Sequence, residues 1–370
     1  MMGAHSIRGR AGKINYTVWS DVFVCPECAE EVVFGEAAVD KDAGKVKDQF
    51  PCPHCNSLLT KRKMERAWTT KFDKALNDTV RQAKQVPVLI NYTVQGQRKR
   101  FDKTPDEVDL ALIEKIENSD IPYWFPTDRM MEGKETRRND PAGITHVHHF
   151  YTKRSLWVLS ALLHKTSLVP NLVARSFCRF LFQQWAVGLS KLNRYSPTHF
   201  SQNNRNLSGT LYVGSRISEV SPDYAFGEKL KRLIKAFSVS KQQVFTISTQ
   251  DAGHIEFGSE TADYVFIDPP FGANLNYSEL NCLWENWMKL PTDNTNEAIE
   301  NDIQGKGSTE YRQLMTTCFA KAYSILVPRR FKWNSSKNLC QYSAKYWHEE
   351  KTWTATRYCY WDWGFSLPGN

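Results

Sequence analysis

Asp268-Pro269-Pro270-Phe271 follows Tyr264-Val265-Phe266-Ile267, a short apolar run that reads as a buried strand. Two consecutive prolines fix two φ angles and remove two N–H donors, so the turn is stiff and its carbonyls stay free to accept hydrogen bonds. An acid, a free carbonyl and an aromatic face then stand together at a strand end. They match a planar ring carrying an exocyclic amino group, with two acceptors for its two N–H bonds and a π surface for stacking. Such an amine is a weak nucleophile because its lone pair is delocalised into the ring. Hydrogen bonds from both of its protons, to Asp268 and to the Pro269 carbonyl, favour a pyramidal nitrogen with a localised lone pair. Positioning in a site closed to water supplies the rest of the barrier reduction. A plain proline-rich turn is the competing reading; the strand before and Gly272 after favour chemistry.

Cys25-Pro26-Glu27-Cys28 and Cys52-Pro53-His54-Cys55 are two CxxC knuckles with 23 residues between them. Each can present two thiolates to one ion, and the pair closes a tetrahedral zinc site with no position left for water, which makes the ion structural. Glu31-Val32-Val33-Phe34 and the turn-like Lys41-Asp42-Ala43-Gly44 fit a hairpin between the knuckles. His54 reads as a solvated spacer. The basic run Thr60 to Arg66, followed by Trp68, suits either a nucleic-acid backbone contact or a solvated surface element.

The run Val265 to Asn281, VFIDPPFGANLNYSELN, resembles the catalytic motif of S-adenosylmethionine-dependent amino-methyltransferases, in particular the zinc-ribbon-containing adenine-specific DNA methylases. The resemblance extends to HVHHFYTKRSLWVLSALL (His146 to Leu163), to LSGTLYVGS (Leu207 to Ser215) and to the cysteine pairs, and so covers most of residues 14 to 328. It implies an α/β fold: a Rossmann-like methyltransferase sheet, incomplete here, with an inserted zinc ribbon. It implies S-adenosylmethionine and a structural zinc ion as cofactors, DNA as partner, and methylation of adenine N6 or cytosine N4 within a restriction-modification or mobile-element system. Asp268 and the Pro269 carbonyl take the role of amine acceptors, Pro270 belongs to the same catalytic motif, and Phe271 stacks on a flipped base. In this fold an acid beyond the preceding strand approaches the cofactor's adenine; Asp251 occupies that place, and a turn Asp before Gly253 is its competing reading. The related glutamine methyltransferases usually carry Asn at position 268, whereas some RNA guanine-N2 methyltransferases share the Asp-Pro-Pro-aromatic-Gly run. An RNA base methyltransferase and a non-catalytic zinc-ribbon nucleic-acid-binding protein therefore stay open.

Forty-eight Lys and Arg against 40 Asp and Glu give +8 and a pI near 8.9, compatible with a phosphate-backbone partner. Hydrophobic residues make up 41% of the chain, enough for a substantial core, and no run approaches the length of a membrane span. Met1 to Lys13 has no apolar stretch after its basic residues, so cytoplasmic residence with reduced or metal-bound cysteines is expected.

Residues 86 to 103 suggest strand, turn and strand, and Thr104-Pro105-Asp106-Glu107 a capping box that opens a helix to about Glu117. Residues 118 to 145 lack periodicity, and Asp128 to Asp140 reads as a basic segment crossing a groove or as a solvated linker. Leu156, Leu159, Leu162 and Leu163 form a helical stripe and Leu172 to Leu189 a second helix. His146, His148 and His149 stand just ahead with no carboxylate or cysteine near them in sequence, and read as loop or packing residues. Leu211 to Val213 and Gln243 to Ser248 suggest strands; Glu228 to Phe237, a stretch after residue 280 and Thr309 to Leu326 suggest helices. The expected organisation is a ribbon with a basic flank at 1–75, a small α+β insertion and linker at 76–150, a catalytic part at 151–328 and an atypical tail at 329–370, where five of the 12 tryptophans lie.

No Gly-rich turn of the kind that holds S-adenosylmethionine is visible; Gly305-Lys306-Gly307 follows no hydrophobic strand and reads as a turn opening the last helix. The expectation is an internal segment of a larger methylase whose cofactor half lies N-terminal to the ribbon or on a partner subunit.

Overall fold

Arg10–Val24 is a single 15-residue strand around which the larger part of the chain is built. In this computed structural model the described residues are 6–7, 10–40, 44–94, 96–97, 99–199, 201–238, 247–327 and 339–341. They fall into two units, residues 1–241 with 279–291, and residues 242–278 with 292–370. The tail from residue 329, apart from 339–341, and the segment Gln243 to Ser248, apart from 247–248, lie outside the described residues, as do 41–43 and 328.

In the first unit the strands in chain order are β1 (Ser6–Ile7), β2 (Arg10–Val24), β3 (Glu31–Val33), β4 (Phe50–Pro51), β5 (Leu58–Leu59), β6 (Glu65–Arg66), β7 (Trp68–Asp73), β8 (Asp78–Ala83), β9 (Gln85–Val94), β10 (Arg100–Lys103) and β11 (Arg216–Val220). The helices are α1 (Phe34–Ala37), α2 (Glu107–Glu117), α3 (Lys153–Ser167), α4 (Leu172–Gly188) and α5 (Pro222–Ser238). The main sheet runs β1-β2-β9-β10, and β3, β6 and β11 also pair with β2. Every one of these pairings is antiparallel. The fold is thus mixed α/β, and its main sheet is not the parallel Rossmann-like sheet that the resemblance implies. Between β9 and β10 the reason is connectivity: a parallel pair needs a crossover of a dozen or more residues between neighbouring strands. Here β9 returns to β10 through a short turn, as residues 86 to 103 predict.

The α2 cap sits later than the sequence suggests. Asp106, not Thr104, is the N-cap: its Oδ1 accepts from Asp109 N–H at 3.0 Å, and Asp109 Oδ2 accepts from Asp106 N–H at 3.0 Å. The α3 and α4 helices stand where the periodicity places them, capped by Thr152 and Asn171. Leu156 and Leu159 of α3, and Leu181, Phe182 and Trp185 of α4, join Val147, Phe150, Ile217 and Val220 in one core. The same core takes Leu283 and Trp287 from α6 (Tyr277–Met288). Leu211 to Val213 forms no strand; β11 begins at Arg216 instead.

The second unit contains β12 (Val265–Ile267), paired in parallel with β13 (Leu339–Gln341), and α7 (Ser308–Ser324). Tyr311, Met315 and Phe319, one per helical turn, carry Ile267 and Ala298 on their face. Gly305, at φ +65°, makes the turn and Gly307 N–H donates to Glu310 Oε2 at 2.8 Å, so this segment does open the last helix. Among the described residues no helix is long and apolar enough to cross a membrane.

A buried charge pair locks α3 to the sheet. Glu219 of β11 accepts from Trp19 Nε1 at 2.8 Å, from Thr152 Oγ1 at 2.6 Å and from Arg154 at 2.9 and 2.5 Å. Burial alone would raise the Glu219 carboxyl, but Arg154 and these donors outweigh it and hold it below the ordinary value. Glu219→Gln is therefore expected to cost about 3 kcal/mol at neutral pH, because Arg154 stays buried without its counter-charge. A carboxyl depressed in the folded state contributes stability above its unfolded pKa of about 4.3 and loses it as pH falls through the lower folded value. Urea unfolding at pH 7 and in the acid range checks this: the difference between wild type and variant should shrink on acidification, and a constant difference would assign it to packing.

Candidate functional site

β2 ends at Val24 and the first cysteine follows at once. Cys25 N–H donates to Glu30 O at 2.9 Å and Ala29 N–H to Cys25 O at 2.9 Å; Cys52 N–H donates to Ser57 O at 2.9 Å and Asn56 N–H to Cys52 O at 3.0 Å. The two knuckles are equivalent turns, each closed by a left-handed residue, Ala29 at φ 60° and Asn56 at φ 61°. Each knuckle is itself the turn of a hairpin, β2–β3 for the first and β4–β5 for the second, rather than lying at the ends of one shared hairpin. Phe23, Val32, Phe34, Phe50, Leu59 and Met64 pack beneath them as a separate small core.

Cys25 Sγ lies 3.8 Å from Cys55 Sγ, and Cys28 Sγ 3.8 Å from Cys52 Sγ. A tetrahedral ion with metal–sulfur bonds of about 2.3 Å has ligand–ligand edges of about 3.8 Å, so the four thiols fit zinc. Cys25, Cys28, Cys52 and Cys55 form one cluster of the kind that holds a metal ion. The Glu30 N–H favours the Cys28 thiolate, but burial and the three neighbouring thiols outweigh it and push Cys28 up to about 12. The Ser57 hydroxyl and N–H lower Cys55 to about 6. His54 is exposed and its Nε2 faces the Glu31 carbonyl at 3.1 Å, so it is a spacer, as expected.

The basic run splits. Lys61 sits over the Phe34 ring at 5.1 Å, and Arg66 pairs with the buried Asp21 at 2.5 Å; both serve the fold. Arg62 and Lys63 are exposed.

The Asp268 loop belongs to the second unit. Val265 and Ile267 are half-buried while Tyr264 and Phe266 are 58% and 57% exposed, so the strand before it alternates and is not the buried strand that its composition suggests. Asp268 is exposed and has no hydrogen-bond or ion-pair partner among the described residues. The Pro270 carbonyl is held by the Tyr311 hydroxyl at 2.7 Å. Phe271 is half-buried, and Gly272 turns the chain at φ +55°. Asp251 lies in the same unit and closes its own turn: Oδ1 accepts from Gly253 N–H at 2.8 Å, and Oδ2 meets His254 Nδ1 at 2.7 Å and Asn296 Nδ2 at 3.0 Å. The His254 contact, with these donors, holds its carboxyl below the ordinary value.

Two groupings escape the sequence. Residues 128 to 140 are not a solvated linker: the buried Glu279 accepts from Glu135 N–H at 2.7 Å and Thr136 N–H at 3.1 Å. Asn139 bonds Leu211 O at 2.7 Å and Val213 N–H at 3.1 Å, so residues 128 to 140 hold parts of two segments that carry the resemblance, at Glu279 and at 211 to 213. A Cβ on Gly133 would lie 2.2 Å from the Glu279 carboxyl, so a larger residue there must displace that carboxyl. The second grouping adds a carboxylate, distant in sequence, to the buried histidines. Asp73, at the end of β7, stands against His148 and His149.

No protein-family model matches the chain, and neither a curated protein nor a solved structure matches it.

Cys52→Ser is expected to abolish stoichiometric zinc in the ribbon and lower the melting temperature on the order of 10 °C, since structural zinc contributes folding energy and ~2–4 °C accompanies each kcal/mol in a domain of this size. Metal analysis after gel filtration and thermal unfolding with and without chelator check it. A variant that keeps both zinc and melting temperature would remove the ion from the cluster.

Proposed function

We propose that this chain holds the exocyclic amine of a nucleic-acid base for methylation, with adenine N6 in DNA as the target. The observation that carries the reading is Asp268: an exposed carboxylate without a partner among the described residues, beside a diproline turn whose second carbonyl is fixed by Tyr311. Asp268 and the Pro269 carbonyl accept the two amine protons, and Phe271 offers a ring face to the base. The +8 charge and the exposed Arg62 and Lys63 beside the zinc ribbon suit a phosphate backbone. In this reading the parallel β12–β13 pair is the part of a Rossmann-like methyltransferase sheet on which the loop rests.

S-adenosylmethionine supplies the methyl group in such chemistry. The described residues do not fit it: Asp251 spends both oxygens on its own turn, and Gly305 and Gly307 shape the start of α7. That misfit, with the antiparallel main sheet, favours one second reading, a zinc-ribbon nucleic-acid-binding protein without turnover.

Labelled S-adenosylmethionine with duplex DNA, followed by hydrolysis to nucleosides, separates the two. Label in N6-methyladenine, reduced ~10²-fold or more by Asp268→Ala with zinc content and DNA affinity retained, selects the first reading. DNA binding without transfer selects the second reading; equal transfer to tRNA and duplex DNA moves the substrate to RNA.

A further inference from the structure

We propose that Asp73, His148 and His149 form a second metal centre, a two-histidine, one-carboxylate site for a divalent transition ion, independent of the ribbon. The ligands come from two places in the first unit. Asp73 ends β7, and the histidines sit on a short 3-10 turn, Val147–Phe150, immediately before α3. Asp73 Oδ2 lies 2.8 Å from His148 Nε2 and 3.1 Å from His149 Nε2. The three ligand atoms lie within 4.8 Å of one another.

These distances fit an ion. Metal–nitrogen and metal–oxygen bonds of about 2.1 Å put adjacent octahedral ligands about 3.0 Å apart and tetrahedral ligands about 3.4 Å apart. The two contacts to Asp73 fall at the octahedral edge, and the third edge, between the imidazoles, is within 4.8 Å. The donor set of two imidazoles and a carboxylate suits Zn²⁺, Fe²⁺, Co²⁺ or Mn²⁺ and disfavours soft ions that seek sulfur.

The same distances also describe two hydrogen bonds to a shared oxygen, so the surroundings must decide. Two features favour a site for an ion. Asp73 is aimed: its Oδ1 accepts from Ala75 N–H at 3.0 Å, which leaves Oδ2 to face the imidazoles. The histidines are 7% and 4% exposed, and His148 Nδ1 is buried with no partner among the described residues, so this ring is engaged through Nε2 alone. Thr145 stands behind the second ring: its N–H donates to His149 Nδ1 at 3.3 Å, and its hydroxyl lies 2.9 Å from His146 Nδ1. His146 borders the cluster, its ring centre 5.8 Å from that of His148 and 5.1 Å from that of His149.

Metal counting and spectroscopy on the full chain test the proposal. Loading with Zn²⁺ or Co²⁺, then gel filtration, should give about two equivalents per chain, one in each site. In the cobalt form the ribbon gives thiolate-to-metal charge transfer and strong visible bands, and the second ion adds weak bands only. Asp73→Asn and His149→Gln should each bring the count from about two to about one while the thiolate spectrum stays. Because these variants could unfold, X-ray absorption on the zinc-loaded wild type serves as a second measurement: a shell of mixed sulfur and nitrogen or oxygen is expected. A sulfur-only shell, or about one equivalent lost entirely on Cys52→Ser, would overturn the proposal and leave Asp73 as a hydrogen-bonded clamp between the β7–β8 hairpin and the 3-10 turn.

Discussion

The main-chain hydrogen bonds of β2 must be satisfied along two edges for fifteen residues, and this requirement organises the first unit. At about 3.3 Å per residue such a strand spans on the order of 50 Å, more than one neighbour covers. β9 takes the stretch from Gly12 to Asp21, β11 the opposite edge from Tyr16 to Ser20, and β3 and β6 flank Phe23 and Val24. Register shifts between Ile14 and Tyr16 and between Val18 and Trp19 break the strict alternation. Bulges of this kind re-aim side chains and sharpen the local twist. The strand that anchors the sheet thus runs without interruption into Cys25, and the ribbon is an extension of the sheet rather than a bead on a linker.

This arrangement carries polar groups inward, and each needs a partner. Asn15 bonds Asn91 and Thr93, Asn91 in turn bonds Asp102, and Asp21 gathers Arg66 and Gln85. The same economy of side chains replaces strand pairing at residues 210 to 213. There Glu135 Oε2 accepts from Thr210 Oγ1 and Leu211 N–H, and Asn139 serves both sides of Tyr212. A segment whose main chain is satisfied by side chains has no ladder to form. It reads as a strand by composition and is not one.

What the sequence made legible is what depends on near neighbours. The CxxC knuckles follow from local spacing, and α3, α4 and α7 from a 3.6-residue period, because the causes lie within a few residues of the effects. β2 was invisible for the opposite reason: Asn15, Thr17, Ser20 and Asp21 are buried polar residues, and the bulges erase the period-2 pattern. The α2 cap moved because an Asp two positions after Thr104 found a reciprocal partner in Asp109, and reciprocity is not a property of one residue. Asp73 and His148 lie 75 residues apart, and no spacing rule joins a hairpin end to a turn that far along the chain. The Asp268 loop is legible as a motif, whereas the exposure of Phe266 beside it is a tertiary fact.

Partnering separates the acids of the chain by what they are free to do. Glu219, Glu279 and Asp251 have their oxygens occupied by donors on the protein, so their charge is consumed in holding structure. A carboxylate in that position cannot accept from a ligand without first giving up a bond it already has. Asp268 is the opposite case. Its exposure spares it the cost of desolvation in the free protein, while the prolines beside it limit how far the backbone can drift. Tyr311, packed in the α7 core, ties the loop at Pro270 rather than at the acid. Rigidity is therefore supplied next to the carboxylate and not through it, which is the arrangement an acceptor needs if its hydrogen bonds are to be made only when a ligand arrives.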